Sequence, residues 1–263
     1  YNRIMPSVFK SRGLSVFLDT KRPIGSKPLI RMVRGILECL CYGYSYERVM
    51  GIARTDFTSA GREETDLLEN YILQVDPSYA MWAEEVWTYN PDKKLYDMEI
   101  VNNARQKITE GVRFVEARIS GTKTAADICA ALLAYLKEAD FAGRMKAVCD
   151  GFTDGGQPYL AEETRQVWNA LLSILAQMGS ILKEEKMTYQ QFLDVFSSAC
   201  GSVEVGMTPQ TLDAVCLSDI DRFRDAEAKV VLVLGVTAGV FPKGYTTEGL
   251  SLIHISEPTR PEP

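Results

Sequence analysis

Histidine is almost absent from this sequence. The single one, His254, lies in a proline-rich tail, and residues 1–250 contain none. Ser-His-Asp and Cys-His catalysis and histidine-ligated zinc are thereby excluded for the body of the chain. The six cysteines, Cys39, Cys41, Cys129, Cys149, Cys200 and Cys216, form no C-x-x-C pair. They read as small hydrophobes of a reduced, cytosolic protein rather than as a disulfide framework. No apolar run approaches 18 residues, so no membrane-spanning helix is expected. A Walker A loop is missing too. The GSKP stretch at Gly25 lacks its spacing, and GVTAG at Gly235 is not the G-x-G-x-x-G that cradles a dinucleotide. Asp219 and Asp221 read as two solvated acids, and Glu84–Glu85 and Glu162–Glu163 as helix surface. The residues alone assign no catalytic group, no metal ligand and no cofactor.

What is present is an ordinary globular composition: 263 residues, 46% hydrophobic and 24% charged, with a net charge of −6. The charge is uneven. Residues 1–34 hold Arg3, Lys10, Arg12, Lys21, Arg22, Lys27, Arg31 and Arg34 against Asp19 alone, a local +7 that leaves −13 for the remainder. Such asymmetry suits either a phosphate-facing edge or the solvated face of the first helices. The chain opens on Tyr1 and reads as a piece of a longer protein. Its tail, SLIHISEPTRPEP from Ser251, has no amphipathic period and resembles the translated read-through of a sequencing-library adapter. Residues 251–263 are therefore expected to be non-native.

Periodicity predicts a helix over 1–11 ending at Gly13, and a short strand at Leu14–Leu18. A turn-rich connection leads to Ser26, read as a helix start. Leu29, Ile30, Val33, Ile36, Leu37, Leu40 and Cys41 share one helical face. Lys27, Arg31, Arg34 and Glu38 share another, with Arg34 and Glu38 able to pair at i, i+4. Helices are predicted at Tyr46–Arg54 and Gly61–Val75, and then almost continuously. Val101, Ala104, Ile108, Val112, Val115 and Ile119 form one stripe, and Val167, Trp168, Leu171, Leu172, Leu175, Met178 and Leu182 another. Helices at 124–138 and 140–150 lie between them. Thr188 with Gln191 reads as a capping box for a helix at 189–200. Strands return at Thr211–Leu217 and at Val230–Val236, the latter an unbroken apolar run of the kind buried on both faces of a parallel sheet. The predicted class is α/β with a large all-helical insertion: a small split domain whose two ends meet in space.

Two stretches carry a resemblance. GLSVFLDTKRPIGSKPLIRMVRGILECL (Gly13–Leu40) and the residues after it, including Asp66-Leu67-Leu68-Glu69-Asn70-Tyr71, are similar to a segment of the AddB/RexB family, the second of the two subunits of AddAB-type helicase–nucleases. SDIDRFRDAEAKVVLVLGVTAGVFP (Ser218–Pro242) resembles that family's second stretch, with an Asp-Arg-x-Arg loop, an apolar strand and Gly-x-x-x-Gly-x-Phe-Pro. The order and separation agree, and the middle matches in helical character.

The resemblance implies a part of the second RecA-like domain of a UvrD-like superfamily 1 scaffold. Residues 1–27 and 203–250 would form the domain, and 28–202 its helical insertion. Active motors carry a Thr-x-His-x-x-Lys-Gly-like coupling motif where this chain has Asp219-Ile220-Asp221-Arg222-Phe223-Arg224-Asp225. The His and the Lys-Gly are missing, which implies a scaffold without ATPase or strand-separating activity of its own. The family further implies DNA and the AddA motor subunit as partners, in bacterial cytoplasmic double-strand-break resection. ATP and Mg²⁺ would act at the complex, and an iron–sulfur cluster in a nuclease domain outside this sequence. On this reading Lys21, Arg22, Arg31 and Arg34, with Arg222, Arg224 and Lys243 from the other end, line one edge and hold phosphates. Two other readings remain: a fragment of an active superfamily 1 helicase, and a helical protein–protein adaptor without DNA contact.

Overall fold

A computed structural model describes residues 4–19, 22–119, 121, 123–206, 214–220, 228–237, 239 and 241. The chain begins with α1 (Met5–Ser11), which buries none of its side chains, and turns at Gly13 (φ +72°) into β1 (Val16–Asp19). A two-residue strand, β2 (Arg22–Pro23), and a single 3₁₀ turn at Ile24–Ser26 lead to α2 (Pro28–Tyr42). The expected start at Ser26 is displaced. Lys27 occupies the N-cap without a side-chain cap, and Pro28 takes the first helical position, where a missing N–H costs nothing.

Then follow α3 (Tyr46–Ala53), α4 (Arg62–Val75), the single turn α5 (Tyr79–Ala83), α6 (Met98–Arg118), α7 (Ala125–Glu138), α8 (Phe141–Asp154), α9 (Pro158–Ile181) and α10 (Tyr189–Ser202). Two short strands complete the described elements, β3 (Glu204–Val205) and β4 (Val215–Ser218). Caps set several of the starts. Thr188 accepts from the Gln191 N–H while Gln191 reaches back to the Thr188 N–H, the expected capping box. Thr124 and Asp127 build the same device on α7, and Ser45 caps α3.

The core lies among the helices. The predicted stripe of α2 is buried through Leu29, Ile30, Val33, Ile36 and Leu37, and packs against α3, α6 and α10. Two glycines let the helix axes approach. A Cβ on Gly35 would lie 2.7 Å from Ile52 Cγ1, and one on Gly111 would lie 2.6 Å from Ile36 Cδ1 and 2.8 Å from Tyr135. The α6 stripe (Val101, Ala104, Ile108, Val112, Val115) is buried in the same core. The irregular stretch between α5 and α6 is buried as well, through Trp87 and Tyr96. Tyr71 stacks on Trp87 at 5.5 Å between centroids and meets Tyr96 edge-on at 5.3 Å.

The chain is mostly helical, with a small parallel sheet at its edge. β1 pairs in parallel with β4, in register Val16↔Val215 to Asp19↔Ser218, which joins segments close to the two ends. β2 pairs antiparallel with β3, and the Ile24 N–H donates to the Val203 carbonyl at 3.1 Å, tying the entry to α2 to the exit from α10. The strand expected at Thr211–Leu217 appears as β4; residues 211–213 lie outside the described residues.

Residues Ile220–Pro263 form a second unit. Here one expectation fails. Val230–Val236 adopts no regular secondary structure, and its side chains are exposed, Leu232 at 81%. A strand buried on both faces needs hydrogen-bonded neighbours and covering layers, and no described residue pairs with this run. The tail from Ser251 lies outside the described residues.

Candidate nucleic-acid interface

α2 divides its residues as its period dictates. The apolar stripe turns inward, leaving Lys27, Arg31, Arg34, Glu38 and Tyr42 on the opposite side. Their electrostatic roles differ. Lys27 donates to Glu163 of α9 at 2.5 Å, with both side chains largely buried, so this cation pins two helices together. Arg34 forms the expected i, i+4 pair with Glu38 at 3.4 Å. It also lies close enough to Cys200 on α10 for its charge to oppose the rise that burial imposes on that thiol, which still reaches about 12. Arg31 is exposed and its side chain has no ion pair or hydrogen bond among the described residues.

Of the seven cations expected at the phosphate-facing edge, the structure brings Arg31 and Arg34 together on one helix face. Arg22 is seen through its backbone, opposite Val205 in the β2–β3 pair. Lys21, Arg222, Arg224 and Lys243 lie outside the described residues.

One group beside this face was not anticipated. Past the end of α2 the chain turns at Gly43 (φ +76°) into α3. There the Arg48 guanidinium donates to the carbonyls of Tyr42 at 3.3 Å and Gly43 at 3.0 Å, and sits 5.2 Å from the centroid of the Tyr42 ring. The Tyr42 hydroxyl donates to Gln190 Oε1 on α10, which fixes the ring. On the other side of Gly43 lies Tyr79, whose Cε2 would stand 3.2 Å from a Cβ placed there. Tyr42 is 51% exposed and Tyr79 is 79% exposed. The sequence signal was available in Tyr42-Gly43-Tyr44-Ser45-Tyr46, a run of aromatics broken by a helix-ending glycine and a helix-capping serine. Only Tyr44 of these rings packs inward, against Trp82.

A second polar feature lies within the motif-bearing stretch. A cleft of about 460 Å³ between α3 and α4 is lined by Arg54, Asp56, Arg62, Asp66 and Glu69. Its charges answer one another. Arg54 pairs with Glu69 at 2.5 Å, and Tyr46 donates to the same carboxylate oxygen at 2.6 Å. Three acids against two cations offer no net attraction to a phosphate.

The groups that could perform covalent chemistry are quenched by burial. It pushes the thiols of Cys39, Cys129 and Cys200 up to about 12, 11 and 12, so they stay protonated at neutral pH. No three His, Cys, Asp or Glu residues among the described residues are grouped to hold a metal ion. No helix among them is long and apolar enough to cross a membrane.

No family model matches the chain. Curated proteins do. A protein of Ruminiclostridium cellulolyticum, named as the B-type subunit of an ATP-dependent helicase/deoxyribonuclease, is 30% identical over 260 residues. Proteins of the same name from Acetivibrio thermocellus and Clostridium novyi are 29% identical over 260 residues and 28% identical over 250. Each alignment covers 95% of this chain, but the chain spans only 22–23% of these relatives' length. With these matches running along nearly its whole length, and with the motifs at both ends in the same order, the chain belongs to the AddB/RexB family of ATP-dependent helicase/deoxyribonuclease subunits, as a stretch of it.

Proposed function

We propose that the chain is a DNA-contacting scaffold segment of an AddB-type helicase–nuclease subunit, serving double-strand-break resection beside a separate AddA-type motor in the bacterial cytoplasm. The observation that carries this reading is the similarity along 95% of the chain to proteins named for helicase and deoxyribonuclease activity. In this reading residues 1–27 and 203–250 belong to a RecA-like domain and 28–202 are its helical insertion. The parallel pairing of β1 with β4 supports it, because parallel strands joined across a helical body are what a split α/β domain requires. ATP, Mg²⁺ and the iron–sulfur cluster belong to other parts of the assembly. The coupling histidine and Lys-Gly pair are missing from Asp219–Asp225, so this segment carries DNA without driving it.

The exposed, unpaired Arg31 is the best-supported phosphate contact of this segment. The test is fluorescence anisotropy of the 263-residue chain with a labelled single-strand/duplex junction across a salt series. Binding should weaken steeply as salt rises, and Arg31→Glu should weaken it further and flatten the slope. Failure of the folded chain to bind at low salt would overturn the reading in favour of the adaptor, which holds subunits together without touching DNA.

A further inference from the structure

The geometry points to Tyr42 and Tyr79 as a stacking platform for the unpaired bases of single-stranded DNA. This rests on the DNA-contacting reading above and says which form of DNA this face takes.

Charge alone does not define the face. Arg31, Arg34 and Arg48 stand against Glu38, Glu47 and Asp194, so the local balance is close to neutral. Glu38 is paired with Arg34. Asp194 accepts from Gln190 at 3.0 Å. Ser45 donates to Glu47 at 3.0 Å, and Glu47's backbone and Ser45 together hold that carboxyl below the usual carboxylate range. A duplex gripped only through its phosphates finds little net charge here. What the face does offer is ring surface. Two tyrosines project beside one glycine, at 51% and 79% exposure, where a tyrosine ordinarily buries most of its ring.

The two rings are held differently, and each way suits stacking. Tyr42 is anchored through its hydroxyl to Gln190, so its orientation is set before any ligand arrives. Tyr79 rests on the Gly43 backbone, which has no Cβ to displace it. Arg48 is fixed by the Tyr42 and Gly43 carbonyls and makes no ion pair among the described residues. Its guanidinium is a flat cation beside a ring, suited to a base plane or to the phosphate between two bases. Arg31 lies on the same face of α2, eleven residues and about three turns before Tyr42, giving the backbone of an incoming strand a cation to follow. Ring faces joined to sparse cations favour single strands, because bases inside a duplex are already stacked on one another.

The test compares an unstructured thymine 20-mer with a blunt duplex of equal length, each labelled, using the 263-residue chain and its variants. Tyr79→Ala is the primary variant, since its ring is mostly exposed and its loss should leave the melting temperature unchanged. Tyr42→Ala is the second, with circular dichroism reporting whether the helices persist. Each should weaken single-strand binding by about 5-fold or more. The salt slope should stay as in the parent, because no phosphate contact is lost. Tyr79→Trp should restore affinity, and its indole emission should be quenched as the thymine strand binds. Tight single-strand binding that survives Tyr79→Ala overturns the platform while leaving the DNA reading intact. A preference for the duplex that neither variant alters does the same. No binding to either DNA overturns both.

Discussion

The Arg105 guanidinium lies 4.4 Å from the centroid of the Trp87 ring, buried to 1% exposure with no carboxylate paired to it. It donates instead to the backbone carbonyls of Glu84 at 3.0 Å and Glu85 at 2.6 Å. Asn102, one turn earlier on α6, closes the arrangement by exchanging hydrogen bonds with the Trp87 backbone at 2.8 and 3.0 Å. Burial lowers the Arg105 pKa to about 10, which still leaves it charged at neutral pH. Its Nε is the buried side-chain polar atom that lacks a partner among the described residues. Arg105 thus fastens the irregular stretch before α6 to the core.

Replacing Arg105 by Ala should strand two carbonyls and uncover Trp87. The expected loss is about 2–4 kcal/mol. Arg105→Lys should recover only part of it, because one ammonium cannot span both carbonyls as the guanidinium fork does. Urea unfolding followed by tryptophan fluorescence measures both. A loss for Arg105→Ala within about 0.5 kcal/mol, the range of an ordinary surface substitution, would mean that the stretch is held by its aromatic contacts alone.

Gly111 yields a prediction that runs against helix propensity. Alanine in the middle of α6 should gain up to about 1 kcal/mol from backbone entropy. Its Cβ, however, would fall 2.6 Å from Ile36 and 2.8 Å from the Tyr135 ring, where α2, α6 and α7 converge. Tyr135 is itself wedged between Phe114 and Phe141, at 5.4 and 5.6 Å. Overpacking of such a site costs about 1–3 kcal/mol, so Gly111→Ala should destabilise by roughly 1–2 kcal/mol in thermal unfolding. A raised melting temperature would show that the crossing relaxes.

Arg105 and Gly111 also mark where sequence reasoning stops. The helices of the body were legible because their apolar residues repeat at 3–4 positions and their caps are local, as Thr188 with Gln191 shows. Arg105 and Gly111 were not legible. One occupies a position on α6 where its residue type suggests solvent, and the other matters only through residues on two other helices. The candidate site was readable to the same extent. Period placed Arg31 and Arg34 on one face of α2, but the pairing of Lys27 with Glu163 spans 136 residues, and nothing local announces it. The aromatic pair beside Gly43 depends on a contact between α5 and the end of α2, which no periodicity encodes.

Acid should loosen the α3–α4–α6 corner. Glu64 accepts from Lys107 at 2.7 Å and from the Gly61 N–H at 2.8 Å, contacts that hold its carboxyl below the usual range. Glu69 is lowered by the Tyr46 hydroxyl and by Arg54. A carboxyl with a depressed folded pKa binds fewer protons folded than unfolded. Its stabilisation is therefore complete above the unfolded value and disappears as pH falls through the folded one. The melting temperature should hold steady from neutral pH to about 5 and then decline. Glu64→Gln and Glu69→Gln should each start lower at pH 7 and decline less below pH 4.5, the ordinary value for these side chains. Equal slopes in parent and variants would assign the acid sensitivity to other carboxylates.

The run Val230–Val236 sets a limit on how the chain behaves in solution. It holds no charge and no proline, is rich in β-branched residues, and exposes Val230 at 76% and Leu232 at 81%. Such a window pairs readily with a copy of itself, since its backbone groups have no partner strand among the described residues. Chains at tens of micromolar should therefore associate, with the mean mass in light scattering rising with concentration. Successive side chains of a strand point to opposite faces, so one charge at Val231 would guard a single face. The informative variant is therefore Val231→Lys combined with Leu232→Glu, which charges both faces of any strand formed. That variant should run as a monomer with unchanged helix content, because residues 230–236 contribute nothing to the helical core. If the parent chain is already monomeric at these concentrations, the run is covered in solution. If the charged variant associates as strongly as the parent, the sticky surface lies elsewhere on the chain.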